Sequence, residues 1–446
     1  MKTNNLLYQQ ISLFDLLNLN NTKVPSTRLG KDIKVLSLFS GCGGMDLGFE
    51  GGFTVHRKSI NKNIHPEWKV EDTDTDWCKV PETRFDTVFA NDIRNDAMIA
   101  WTTYFSKKHI PSSVYHLDSI VNLVKSYKGG KKNLFPCNVD VVTGGFPCQD
   151  FSISGKRQGF NSNKSHMGVA KDVDTPSIES RGQLYMWMRE VITIVQPKVF
   201  IAENVKGLAN LDDVKEVIER DFASAGGNGY IVIPAKILHA ANYGIPQNRE
   251  RIFFFGFKKS ALKEEAIKAL NCKIIPQQYD PYPLITHKYT ENANGNGLLP
   301  FVTVKDYLSD LDEPADSKDL AQQKFSKAKF MGKHCQGQTE VDLNGIGPTI
   351  RSEHHGNIEF RRLSKEHGGK NLSELESGLS ERRLTVRECA RIQTFPDDYD
   401  FIIPSASKGH GVTSSDAYKI IGNAVPPLLA YNIAMRLQEN WNKYFK

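Results

Sequence analysis

Asp140-Val141-Val142-Thr143-Gly144-Gly145-Phe146-Pro147-Cys148-Gln149-Asp150-Phe151-Ser152 carries the reading of this chain. Its first half is rich in β-branched residues and has no helical period, so Val139 to Thr143 is expected to form a short buried strand ending at the glycine pair. The glycines permit a tight turn, Pro147 fixes the backbone just before Cys148, and Gln149, Asp150 and Ser152 surround the sulfur with polar groups. A lone cysteine at a strand end is otherwise an inert core residue. The Gly/Pro-shaped, polar surroundings argue for a presented thiol.

Outward from this stretch, the whole chain sets bounds. It has 446 residues, 39% of them hydrophobic and 24% charged, enough for a large core divided into two domains. No apolar run reaches the ~20 residues that span a bilayer, and the polar N-terminus lacks a signal-peptide pattern, so the expected location is the cytoplasm. Seven scattered cysteines without Cys-x-x-Cys pairing argue against a disulfide framework and a structural zinc site. The formal charge of +6 permits a polyanionic partner without demonstrating one.

Upstream, Val35 to Phe39 reads as a buried strand, followed by the glycine-rich turn Ser40-Gly41-Cys42-Gly43-Gly44 and a helix. Such a loop lets backbone N–H groups approach a ligand closely. It lacks the Gly-Lys-Ser/Thr ending of a triphosphate loop and the glycine spacing of the dinucleotide fingerprint. Residues 55–84 are charged and turn-rich, which suggests a surface insertion. Phe85 to Ala90 is the second strand, and Asp92 at its end suits either a ribose contact or a helix N-cap. Asp118, after Tyr115-His116-Leu117, is in a similar place.

Downstream, residues 152–180 hold little to bury and suggest a loop that closes over substrate. Leu184, Met188, Val191, Ile192 and Val195 repeat at helical spacing, then Pro197 precedes the strand Lys198 to Ala202 and Glu203-Asn204-Val205. A strand from Tyr230 toward Leu238 precedes Gln247-Asn248-Arg249-Glu250-Arg251, which opens the strand Ile252 to Gly256. In a parallel sheet the glycine loop, Asp92, Cys148 and Glu203 converge on the carboxyl edge. Arg249 and Arg251 join them if their strand runs antiparallel. Thiol, carboxyl group and guanidinium together fit nucleophilic attack on an electron-poor ring with a proton donor and a planar clamp.

Six stretches carry a resemblance. Phe39-Ser40-Gly41-Cys42-Gly43-Gly44, Gly145-Phe146-Pro147-Cys148-Gln149, Glu203-Asn204-Val205, Gln247-Asn248-Arg249-Glu250-Arg251, Arg383 to Arg391 and Gly422-Asn423-Ala424-Val425-Pro426-Pro427 occur in the order and kind of the motifs of C5-cytosine DNA methyltransferases. The resemblance covers residues 34–258 and 380–440. It implies a Rossmann-like, S-adenosylmethionine-dependent methyltransferase α/β sheet, parallel with one antiparallel strand, and a smaller irregular β-containing target-recognition domain. By this resemblance residues 1–30 are an extension, 31–258 the catalytic domain, 259–412 the recognition domain and 413–446 a segment completing the catalytic domain.

The resemblance also assigns roles. Cys148 would add to C6 of a flipped-out cytosine so that C5 takes a methyl group from S-adenosylmethionine. Glu203, protonated, would hold N3 and the exocyclic amine, Arg251 the O2 edge, and Arg249 the site or a phosphate. Phe39, Gly41, Gly43 and Gly44 match the cofactor loop, Asp92 the ribose acid and Asp118 the adenine contact. Pro147, Leu184, Asn423 and Val425 match further cofactor-lining positions. Chemistry on C5 requires the base to leave the duplex, and Ser154 and Lys156 would lie near DNA in a loop longer than in compact members.

Between Phe257 and Arg382 the parallel-sheet grammar stops, and the stretch is rich in Gly, Asn, Lys and His. Arg351, Gln336 and Asn357 suit base edges, Arg for guanine and Gln or Asn for adenine. The stretch resembles recognition segments of members that modify GGCC-like or GGNCC-like sites. His334, Cys335, His354 and His355 fit no common zinc spacing, and no metal is expected. An RNA-methylating relative, a DNA-binding protein that has lost catalysis and a nicotinamide enzyme are the alternatives. They are opposed in turn by the sizeable recognition segment, by Cys148 with Glu203 and Arg251, and by the glycine spacing. Double-stranded DNA is the expected partner, and the chain is expected either to work with a cognate restriction endonuclease in the same system or to act as an orphan methylase. Finally, Gln10-Ile11-Ser12-Leu13-Phe14 resembles the motif by which bacterial replication and repair proteins dock on the sliding clamp. An amphipathic helix from Leu6 to Leu17 is the competing reading.

Overall fold

A computed structural model describes residues 28–74, 76–147, 184–210, 214–289, 297–353, 356–407 and 409–446. The clamp-like pentapeptide, Cys148, Ser154, Lys156, His354 and His355 lie outside the described residues.

Strands β1 (Ile33–Leu38), β2 (Phe85–Asp92), β3 (Tyr115–Leu117), β4 (Val141–Gly145), β5 (Val199–Val205), β6 (Tyr230–His239) and β7 (Glu250–Lys258) form one sheet in the order β3-β2-β1-β4-β5-β7-β6. All pairs are parallel except those of β7, which runs antiparallel to both β5 and β6. The strand order reverses between β1 and β4, the switch point at which open α/β sheets bind ligands. Alternation of side chains along each strand loads both faces. Val35, Val141, Ile201 and Phe253 enter one core, and Leu36, Val142, Phe200 and Phe254 the other.

Helices cover both faces. Helix α1 (Gly44–Glu50) and α2 (Asn95–Lys107) contribute Leu47, Phe49, Trp101 and Phe105 to the first core, while α3 (Ile120–Lys128), α4 (Leu184–Val195) and α5 (Val214–Ala223) supply Val121, Met188, Val191 and Ile218 to the second. Later come α6 (Val386–Ile392), α7 (Ser414–Asn423) and α8 (Pro427–Tyr444). Helix α8 returns to α1 at close range, since a Cβ on Gly48 would lie 2.4 Å from Ala430 Cβ and 2.5 Å from Pro427 O. A glycine is required there by space alone.

Two expectations change. The stretch at 55–84 is not merely a surface insertion: Thr54–His56, Trp77–Lys79 and Glu71–Asp72 pair antiparallel, and Trp68, Cys78 and Val80 are buried in the first core. Nor is the glycine pair 144–145 a turn. Both residues lie in β4, neither has a positive φ, and each is small because a neighbour occupies the space of its Cβ. Beyond residue 258, short pairs such as Phe360–Arg362 with Arg382–Arg383 are joined by irregular chain. Leu262, Tyr307, Ile350 and Val386 belong to the same core as the sheet, so packing is continuous across that boundary.

Candidate active site

The carboxyl edge of the sheet holds a cavity of about 450 Å³, a size usual for small-molecule and cofactor sites. On the sheet side the walls are strand ends and the loops after them. Leu38 to Gly41 follow β1, Asn91 to Arg94 end β2, Gly144 to Pro147 end β4, and Glu203 to Val205 end β5. The far wall comes from the C-terminal part of the chain, Ile420 and Gly422 to Val425.

The floor is the glycine loop. Phe39 lines the cavity with a backbone in the left-handed region, φ 53°, unusual for a side chain of its size. Gly41 N–H donates to Asp92 Oδ2 at 3.0 Å and Arg94 N–H to Asp92 Oδ1 at 3.0 Å, which fixes the carboxylate at the rim. Removal from water raises the Asp92 pKa, and the two backbone N–H bonds oppose that rise. Gly44 is held to its size by the opposite wall, because a Cβ there would lie 2.2 Å from Val425 O. Below the loop, Asp46 is buried and accepts Ser37 Oγ at 2.5 Å and Trp101 Nε1 at 2.7 Å. Burial pushes its carboxyl up to about 6 against both hydrogen bonds.

At the β4–β5–β7 side stand Glu203 and Arg251. Because β7 is antiparallel, its first residues lie at the carboxyl edge, with Arg251 opposite Val205. Arg251 Nε lies 3.0 Å from Glu203 Oε1, and both side chains are largely buried. Burial raises the Glu203 pKa, while the Arg251 and Arg249 charges lower it less. A carboxyl group so placed takes up a proton more readily than one in water. Gly145 is the register partner of Glu203, and a Cβ on it would lie 2.8 Å from Glu203 Oε2. Asn204 Nδ2 donates to Phe146 O at 3.2 Å, tying β5 to the backbone that leads through Pro147 to Cys148.

Thus Phe39, Gly41, Gly44, Asp92, Pro147, Leu184, Glu203, Arg251, Asn423 and Val425, named from sequence, line one cavity. Three others stand apart. Arg249 is fully buried, and its guanidinium donates to the carbonyls of Ile350, Gly422 and Ala424, so it supports the site's frame and is not placed to hold a phosphate. Gly43 caps α1 with φ 78°, and a Cβ there would strike Trp101 and Phe105, both at 2.6 Å. Its role is close packing, and it is not on the cavity wall. The Asp118 carboxylate is exposed and accepts Ser119 N–H and Asn122 Nδ2, while its neighbours Ser119 and Ile120 form the wall. Ile93, Met45 and Ile420 also line the cavity and were not singled out from sequence. Ile93 alone had a signal, as an apolar residue directly after an acidic strand end.

A family model described as C-5 cytosine-specific DNA methylase matches residues 33–439. The chain is similar to the type II methyltransferase M.BspRI of Lysinibacillus sphaericus, with 31% identity over 422 residues, covering 92% of this chain and 83% of that protein. It is likewise similar to the type II methyltransferase M.BsuRI of Bacillus subtilis, with 31% identity over 425 residues, covering 92% of this chain and 80% of that one. The solved S. pombe Dnmt2 methyltransferase shares the fold at a TM-score of 0.53 and 17% identity, with 91% of this chain and 98% of that chain covered. With these matches spanning nearly its whole length, and with the carboxyl-edge cavity of a doubly wound sheet, the chain belongs to the C-5 cytosine-specific DNA methylase family.

Proposed function

We propose that this protein methylates C5 of cytosine in a specific short duplex DNA sequence, drawing the methyl group from S-adenosylmethionine. The observation that carries the reading is the cavity in which the glycine loop and Asp92 face the Glu203–Arg251 pair across the end of β4. The cofactor fits this chain's residues: an aliphatic wall of Ile93, Ile120 and Leu184, a fixed carboxylate for ribose hydroxyls and glycine-bounded space. When bound, it supplies an electrophilic methyl group on a positively charged sulfur.

Cys148 follows directly on Pro147 at the cavity rim and is the nucleophile. As a thiolate it forms a bond to C6 of the extruded base, and the electron pair of the C5–C6 double bond moves to C5. Glu203, whose neutral form burial favours against the pull of the Arg251 and Arg249 charges, would in its protonated form donate to N3 and accept from the exocyclic amine. It thereby meets the charge that develops as sulfur adds. Arg251 offers its guanidinium to the O2 edge. After methyl transfer, a water molecule takes the C5 proton, the freed electron pair re-forms the C5–C6 double bond, and sulfur leaves C6 as the thiolate, which restores the aromatic base.

Cytosine conversion sequencing of DNA from cells expressing the chain tests the reading and yields the recognition sequence. Methylation at one short motif is expected. Cys148→Ala is expected to abolish both methylation and covalent capture of a 5-fluorocytosine duplex while leaving the fold intact. Methylation by the alanine variant would end this reading.

Residues 259–412 choose the target, and the enzyme works in the cytoplasm, either beside a cognate restriction endonuclease or as an orphan methylase. Gln10, Ile11, Ser12, Leu13 and Phe14 dock it on the bacterial sliding clamp, supported by the motif they resemble. A labelled peptide of residues 5–20 titrated with purified clamp tests this, with Leu13→Ala/Phe14→Ala as control. No binding up to ~100 μM would leave the helix reading of that segment standing.

A further inference from the structure

The end of helix α7 is capped by side chains from distant parts of the chain. Gln393 Nε2 donates to Ile421 O at 2.8 Å and Ala424 O at 3.4 Å, and Arg249 Nη2 donates to Gly422 O at 2.9 Å and Ala424 O at 2.7 Å. The last carbonyls of a helix lack intrahelical partners and carry partial negative charge, so an amide and a guanidinium there both satisfy and attract them. The next residues, Asn423 and Val425, line the cofactor cavity.

The same polar cluster grips the backbone of one residue of the proposed recognition segment. Arg249 Nη1 donates to Ile350 O at 2.9 Å, and Ile350 N–H donates to Gln247 Oε1 at 3.1 Å. Gln247 Nε2 in turn donates to Gln393 Oε1 at 3.0 Å. Gln247, Arg249, Ile350 and Gln393 are all fully buried, so each of these bonds is shielded from water. Gly422 brings the two segments into backbone contact, since a Cβ there would lie 2.2 Å from the Arg351 carbonyl. Arg351 lies half-buried, with Nη1 3.0 Å from Gln336 Oε1 and Nη2 2.7 Å from Asn357 O and 3.1 Å from Glu359 Oε1. Arg351, Gln336 and Asn357 are the side chains whose chemistry suits base edges.

We propose that Gln393 is a positioning residue that couples target recognition to the cofactor cavity. DNA held at Gln336, Arg351 and Asn357 fixes the Ile350 peptide. Arg249, Gln247 and Gln393 pass that constraint to the α7 cap that sets Asn423 and Val425. The proposal rests on the reading of residues 259–412 as the recognition segment and of the cavity as the S-adenosylmethionine site. Coupling of this kind is reciprocal, so cognate DNA tightens cofactor binding by the factor by which cofactor tightens DNA binding.

The test uses full-length protein carrying Cys148→Ala, so that no turnover occurs. S-adenosylmethionine is titrated alone and with saturating cognate duplex. The parent is expected to bind cofactor about five-fold or more tightly with the duplex than without. Gln393→Leu is expected to bring that ratio close to one. A merely structural role would weaken binding equally in both states and leave the ratio as in the parent, which would overturn the proposal. A parent ratio of one would overturn it as well. Because the leucine variant could fail to fold, amide hydrogen exchange is followed in the parent: cognate duplex is expected to slow exchange at Ala424 and Val425, and unchanged exchange would overturn the proposal. Failure of the parent to bind S-adenosylmethionine in either state would instead overturn the cofactor reading beneath it.

Discussion

Gly145→Ala adds one methyl group at the point where β4 meets Glu203. The backbone of Gly145 is not in the left-handed region, so alanine is accommodated there and the substitution tests space alone. The new Cβ would lie 2.8 Å from Glu203 Oε2, roughly 0.6 Å short of ordinary contact, and the nearest atom is the end of a flexible side chain. The carboxyl group therefore swings away and carries its 3.0 Å contact with Arg251 with it. Folding stability should change by only about 1 kcal/mol, because little backbone moves. Catalysis is less tolerant, since a 1 Å misplacement can cost about 10²-fold. Single-turnover methyl transfer is expected to slow by about 10- to 100-fold, equivalent to about 1.4–2.7 kcal/mol of barrier. The decisive measurement is a double-mutant cycle: in a Glu203→Ala background the added methyl group meets no carboxyl group and should cost little more. Equal losses in both backgrounds, or a Gly145→Ala rate within two-fold of the parent, would refute the argument.

Glu203→Gln, which mimics the protonated acid, is expected to retain more base affinity than Glu203→Ala, with turnover reduced by about 10²-fold or more in both; duplex binding and steady-state rates measure the two effects. Because the proposed role requires the neutral form of Glu203 and burial raises its pKa, activity of the parent should fall as pH rises through that raised value, and a rate that climbs monotonically with pH would contradict the role. Exchanging residues 260–380 for the equivalent segment of a relative with another target should transfer sequence choice while methylation still depends on Cys148. A functional chimera that keeps the original target would refute the assignment. For Asp46, whose folded-state pKa of about 6 lies above the ordinary value near 4, the folded protein binds the extra proton, so this group's stabilisation is present below about pH 4 and lost as pH rises to about 6. Denaturant unfolding of Asp46→Asn against the parent should show a difference that shifts in the variant's favour across that window, on the order of 3 kcal/mol in all. A difference independent of pH would mean that Asp46 is not buried as a titrating acid.

The sheet was legible because its strands are runs of β-branched and aromatic residues that stop at glycine or at a single acid. The Glu203–Arg251 pair was legible only given the antiparallel β7, since that reversal alone brings the start of one strand to the end of another. What sequence could not separate was why a glycine is a glycine. Gly144 and Gly145 read as a turn, yet they are small because Met188 and Glu203 fill the space beside them, and Gly43 serves Trp101 and Phe105. Arg249 and Arg251 are chemically alike and two residues apart. One faces a cavity and the other three carbonyls, two of them more than 170 residues away along the chain, which no local pattern encodes. The three-residue strands at Thr54–His56 and Trp77–Lys79 were too short to show a period, so their pairing stayed hidden.

The far wall of the cavity has a bearing on how the protein is made. Its residues, Ile420 and Gly422 to Val425, lie after the proposed recognition segment in chain order, and helix α8 beyond them seats against α1 near the start of the sheet. During synthesis the strands that carry Glu203 and Arg251 leave the ribosome first, but the compartment they face stays open on one side until almost everything else has followed. A growing chain thus has its proposed catalytic groups before the cavity proposed for the methyl donor is closed, and by the time that cavity closes residues 259–412, proposed to select DNA, have already been translated. On that proposal, the order of segments keeps the reaction from preceding the means of directing it.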